Sequence, residues 1–104
     1  MYGKLVRDNI PEIIIKNGKK PLVKVLDNED DYIFELEKKL EEESQELFES
    51  SQENRINELA DILEVIIALA KYENKTFADL LKICEEKRNV MGSFNKKIYL
   101  EDVK

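Results

Sequence analysis

The chain has 104 residues, 38% of them charged and 42% apolar, with a net charge of −6 and no histidine. That balance argues against a protein that coats nucleic-acid polymers, which needs a broad basic surface, and no apolar run approaches the ~20 residues that span a bilayer. The missing histidine and the lone Cys84 exclude the familiar zinc sites, the Ser-His-Asp triad and an intramolecular disulfide, so any catalysis must run on carboxylates, lysines, arginines and metal-bound water.

Two prolines and three glycines leave little linker material, and residues 1–104 read as a single domain. Nothing resembles a signal peptide: Ile13-Ile14-Ile15 is short and follows Asp8 and Glu12. With the single cysteine, this points to a cytoplasmic protein.

In chain order, residues 8–18 are predicted as a short helix, capped by Asp8 or Asn9, with Pro11 in its first turn and Asn17-Gly18 as the stop. Leu22-Val23-Lys24-Val25-Leu26 is a short extended segment. Asp27 or Asn28 then caps a long helix that runs to about Ser50, with acids in its first turn to suit the helix dipole. Residues 50–54 form a polar turn, and a second long helix covers about 55–72. That helix is apolar around most of its circumference, which predicts burial from several sides. Thr76 and Asp79 form a capping-box pair that opens a third helix, whose apolar face is Phe77, Leu80, Leu81 and Cys84. Cys84 is read as a core residue on that phase. Gly92 ends the region, and Lys97-Ile98-Tyr99-Leu100 is a second extended segment, a candidate to pair with residues 22–26. The expected fold is all-α: an antiparallel helical hairpin plus shorter helices, with two short extended segments. So few helices make a thin bundle, so a homodimer or a dimer-based tetramer is expected to complete it.

The chemistry concentrates in two carboxylate pairs, Glu43 with Glu46 and Glu58 with Asp61, each three residues apart and therefore on one helix face. A Glu-rich helical stretch is ordinarily a solvated face, which suits Glu35, Glu37, Glu41 and Glu49. Glu43 differs because it falls within the apolar stripe Ile33, Leu36, Leu40 and Leu47. Glu46 lies at that stripe's edge, and Glu41 and Glu42 point further toward solvent. Glu58 and Asp61 interrupt the apolar second helix, and Ala68 leaves room beside Asp61. Burying several like charges is costly unless something positive compensates them, and a hard divalent cation with oxygen ligands, Mg²⁺ or alternatively Mn²⁺, is the economical compensator.

These residues carry a family resemblance. Glu42-Glu43-Ser44-Gln45-Glu46 followed by Glu58-Leu59-Ala60-Asp61 resembles the EExxE…ExxD signature of the MazG-like all-α nucleoside triphosphate pyrophosphohydrolases, a group that includes the phosphoribosyl-ATP pyrophosphohydrolases and the all-α dUTPases. Flanking segments resemble one small-protein branch more closely: Lys4 to Glu12, the run Glu58 to Ala70, Glu86-Lys87-Arg88 and Gly92-Ser93-Phe94. The resemblance implies hydrolysis of the α–β phosphoanhydride of a nucleotide to a monophosphate and pyrophosphate, with nucleotide-pool house-cleaning as one role. It further implies that Glu43, Glu46, Glu58 and Asp61 are the metal ligands. Glu43 and Glu42 are the catalytic candidates, Glu42 by positioning water or engaging a second metal. The phosphates left free by the metal need basic partners, for which Arg7, Lys87 and Arg88 are the candidates. Lys4 is a further basic group near the N-terminus, whereas Lys96 and Lys97 read as solvated. Tyr32 and Phe34 fit either base contact or packing. Two alternatives use the same residues: a phosphoribosyl-ATP pyrophosphohydrolase of histidine biosynthesis, and a non-catalytic nucleotide-binding or regulatory acidic helical dimer.

Overall fold

A computed structural model describes residues 3–104. The architecture is all-helical, with α1 at Ile10–Lys16, α2 at Glu29–Glu49, α3 at Arg55–Tyr72 and α4 at Phe77–Met91; a single 3-10 turn, Gln52–Asn54, links α2 to α3. The boundaries of α2 and α4 have local causes. Asn28 caps α2, its side chain accepting from the backbone N–H groups of Asp30 and Asp31 at 2.8 and 3.2 Å, and Glu29, Asp30 and Asp31 place negative charge at the positive end of the helix dipole. Thr76 and Asp79 close a reciprocal capping box at the start of α4, with bonds of 2.9 and 3.1 Å. Gly92 ends α4 with φ of 84°, a backbone conformation that favours glycine. The turn from α3 into α4 passes through Asn74 at φ of 61°, a left-handed position that asparagine tolerates better than most residues.

The main packing is α2 against α3, with α4 resting more lightly on α3. Tyr32, near the start of α2, meets Tyr72, at the end of α3, with ring centroids 6.5 Å apart. Glu43, in the second half of α2, meets Glu58 and Asp61 in the first half of α3. This order of contacts is that of two helices running in opposite directions. The buried apolar residues are Leu36 from α2 and Val65 and Ala70 from α3, whereas α1 and α4 contain no buried residue.

Three expectations change here. Residues 22–26 and 97–100 are irregular rather than strands, and no backbone hydrogen bond joins them among the described residues; Leu22 and Val25 on one side and Ile98 to Leu100 on the other stand exposed, with no sheet to enter. The first helix is shorter than 8–18, and its N-cap Asn9 makes no side-chain cap bond. Cys84 is exposed, not in the core: its helical phase does match Phe77, Leu80 and Leu81, but the face they form has little against it. The same holds in part for α3, where Ile56, Leu59 and Leu63 are exposed at helical spacing.

The chain is elongated, with extents of 59 × 34 × 26 Å and a radius of gyration of 17.7 Å, against about 13 Å for a compact domain of this length. It exposes 9794 Å², where a folded monomer of this mass exposes roughly 6,000 Å².

Candidate metal centre

The α2–α3 pairing brings one carboxylate of α2 to two of α3. Glu43, Glu58 and Asp61 each offer an oxygen, and these three atoms lie within 4.8 Å of one another. Glu43 is the only buried charged residue among the described residues, at 7% exposure, and Glu58 and Asp61 are half-buried. The helical repeat explains the arrangement. Glu43 follows Leu36 by two turns on the face of α2 turned toward α3, and Glu58 and Asp61 are one turn apart on the face of α3 that meets it.

The electrostatics are unbalanced. Glu43 Oε2 and Glu58 Oε2 are buried without a hydrogen-bond partner, and such orphaned oxygens cost free energy unless something compensates them. Burial first, and then the neighbouring Glu46 carboxylate, push the Glu43 carboxyl above its usual value of 4.5, while Lys39 acts in the opposite sense. Two cations of the chain flank the cluster. Lys39 Nζ lies 3.3 Å from Glu43 Oε1 and 3.7 Å from Glu42 Oε2, and Arg7 Nη2 donates to Asp61 Oδ1 at 2.7 Å. Neither is hydrogen-bonded to the two orphaned oxygens. A hard cation with oxygen ligands fits that donor set: three converging carboxylates, two of them with an unpartnered oxygen.

The sequence-derived residues are placed unevenly. Glu43, Glu58 and Asp61 converge; Glu46 is exposed and stands outside this group of three, although its carboxylate lies close enough to perturb Glu43. Glu42 is half-buried rather than solvent-facing, held beside Lys39. Arg7 reaches the cluster through Asp61. Lys87 and Arg88 are exposed on the second half of α4, and among the described residues no ion pair or side-chain hydrogen bond ties them to the acids. Tyr32 packs on Tyr72, and Phe34 is exposed. Lys39 is the residue that sequence reasoning passed over. Its spacing was the available signal, because positions three and four residues apart on a helix are neighbours.

No family model matches the chain, and no curated protein or solved structure is significantly similar to it. The functional reading therefore rests on the motif spacing and on the geometry of the three carboxylates.

Proposed function

We propose that this chain is a Mg²⁺-dependent nucleoside triphosphate pyrophosphohydrolase of the type its acidic motifs resemble, adding water across the α–β phosphoanhydride to give a nucleoside monophosphate and pyrophosphate. The observation that carries the reading is the convergence of Glu43, Glu58 and Asp61, with two buried carboxylate oxygens left without partners. These three residues would hold the cation, with Glu46 beside Glu43 as a further donor. When bound, Mg²⁺ or Mn²⁺ supplies the positive charge that offsets phosphate oxygens and activates water.

The chain's own side chains divide the remaining work. Glu42 stands at the edge of the cluster, where a carboxylate can orient water and accept its proton. Arg7 already lies within hydrogen-bond distance of Asp61, and its planar fork suits a phosphate brought to the same place. Lys87 and Arg88 are the second basic group, on α4. The working unit in this reading is a homodimer or a dimer-based tetramer in the cytoplasm. Support for assembly comes from the exposed apolar face Ile56, Leu59 and Leu63 of α3 and from the excess surface. The several thousand Å² beyond a compact monomer is of the size that obligate interfaces bury. No helix among the described residues is long and apolar enough to cross a membrane.

The direct test incubates the purified protein with a panel of standard and modified ribo- and deoxyribonucleoside triphosphates, with and without Mg²⁺. Pyrophosphate and monophosphate are expected in equal amounts from at least one nucleotide, and only with the cation. If no nucleotide yields pyrophosphate and none binds, the reading fails. Binding without turnover would instead make the protein a nucleotide sensor.

A further inference from the structure

We propose that Lys39 is a positioning residue for the acidic centre: by holding Glu43 Oε1 it aims Glu43 Oε2 at Glu58 and Asp61. The inference rests on the metal reading above and adds to it a residue that touches neither the cation nor the substrate.

Lys39 lies one turn before Glu43 on α2 and is only 19% exposed, with its ammonium 3.3 Å from Glu43 Oε1 and 3.7 Å from Glu42 Oε2. A lysine that simply decorated the surface would keep its head in water; this one is turned inward onto two adjacent carboxylates. The oxygens of Glu43 are then unequal. Oε1 is engaged by Lys39, and Oε2 is buried with no partner, on a carboxylate that brings one oxygen within 4.8 Å of an oxygen each of Glu58 and Asp61. A carboxylate free at both ends would rotate away from Glu46, Glu58 and Asp61, because like charges at this range repel. Fixing one oxygen leaves the other pointed at the place where a cation would sit. Outer partners of this kind commonly orient metal-binding carboxylates, and their loss weakens metal binding.

A simple counter-ion makes the opposite prediction. If Lys39 only neutralised the acids, removing its charge would draw a divalent cation in more strongly. The sign of the change therefore separates the two roles. The experiment titrates Mn²⁺ into the full chain, following free Mn²⁺ by electron paramagnetic resonance, for the wild type and for Lys39→Met, Lys39→Gln and Lys39→Arg. Lys39→Met keeps an unbranched apolar stem without the charge, Lys39→Gln keeps a donor, and helical circular dichroism checks that each variant folds. Lys39→Met and Lys39→Gln are expected to weaken Mn²⁺ binding about tenfold or more, and Lys39→Arg, which restores a cationic donor, to recover most of the affinity. Should Lys39→Met not fold, the contrast between Lys39→Gln and Lys39→Arg decides the matter. Unchanged or tighter Mn²⁺ binding in Lys39→Gln overturns the positioning role and leaves the metal centre standing. A wild-type chain that binds no Mn²⁺ overturns both.

Discussion

The α2–α3 pair and the flanking α1 and α4 all carry apolar side chains yet end in different states. Between α2 and α3 lie all the buried residues of the described chain: Leu36, Val65, Ala70 and the charged Glu43. α1 and α4 bury none, although Ile13, Ile15, Phe77, Leu81 and Val90 are as apolar as the core residues. An apolar stripe thus stabilises a helix only where another element covers it. The single well-covered region also accommodates a carboxylate in a position that would suit leucine. Charge therefore sits where burial makes it costly, an arrangement that clusters at functional sites in proteins generally.

The contrast can be broken most forcefully in the core. Leu36→Ala removes a side chain that is 4% exposed and should cost about 2–5 kcal/mol. Val90→Ala, at 86% exposure, should change stability by less than about 0.5 kcal/mol. Chemical denaturation followed by circular dichroism measures both. A larger loss for Val90→Ala would show that a second copy covers the end of α4, moving that helix into the same class as α2 and α3.

Much of this division was legible in the sequence, and the reason it was not wholly so is physical. Caps are local: Asn28, the Thr76–Asp79 pair and Gly92 act on backbone groups within a few residues, so the ends of α2 and α4 could be read directly. Periodicity reports which face of a helix is apolar but not whether anything lies against it, and so the phase of Cys84 suits a core position while the residue itself is exposed. The short runs at 22–26 and 97–100 have β-like composition, but a strand needs a partner and neither run has one. In the site, Glu43 stood out because it interrupts an apolar stripe, and Glu58 and Asp61 because they interrupt an apolar helix. The Arg7–Asp61 contact joins residues 54 positions apart and leaves no periodic trace. The Lys39–Glu43 contact does have a helical spacing, but it is one of many Lys-to-Glu spacings in α2, and only burial distinguishes it.

A second test asks whether the covered region serves chemistry at the expense of stability. Glu58→Gln and Asp61→Asn keep side-chain size and remove charge from the cluster. In the proposed enzyme each should lower kcat/KM by about 100-fold or more, at least the upper end of what losing an outer-shell partner costs a metal site. Without metal the same variants should be as stable as the wild type or more so, because like charges at close range are relieved. Activity loss with stability retained would mark the acids as functional. A parallel fall in both would make them part of the scaffold.

The smallest expected effect concerns protons and distinguishes the two regions by sign. Glu43 is surrounded by Glu42, Glu46, Glu58 and Asp61, with Lys39 and Arg7 as the opposing charges. Its folded carboxyl titrates above the unfolded value of 4.5, mainly through burial, so between those two points the folded state binds more protons than the unfolded. Stability contributed by this group is therefore greatest at low pH and falls as pH rises through the window, levelling off above it. Asp79, in the α4 capping box, behaves oppositely. The Thr76 backbone N–H and hydroxyl hold its carboxyl below 3.8, so its contribution is present above that value and is lost as pH falls through the lowered one. A bound cation prefers the ionised Glu43 and should reverse the first trend, stabilising the protein by about 1.4 kcal/mol at a free concentration ten times Kd. Thermal melts from pH 4 to 8, with and without Mg²⁺, measure this directly. The metal-induced increment should grow with pH across the Glu43 window and vanish in Glu43→Gln, whereas an increment that is flat in pH would detach cation binding from the buried carboxylate.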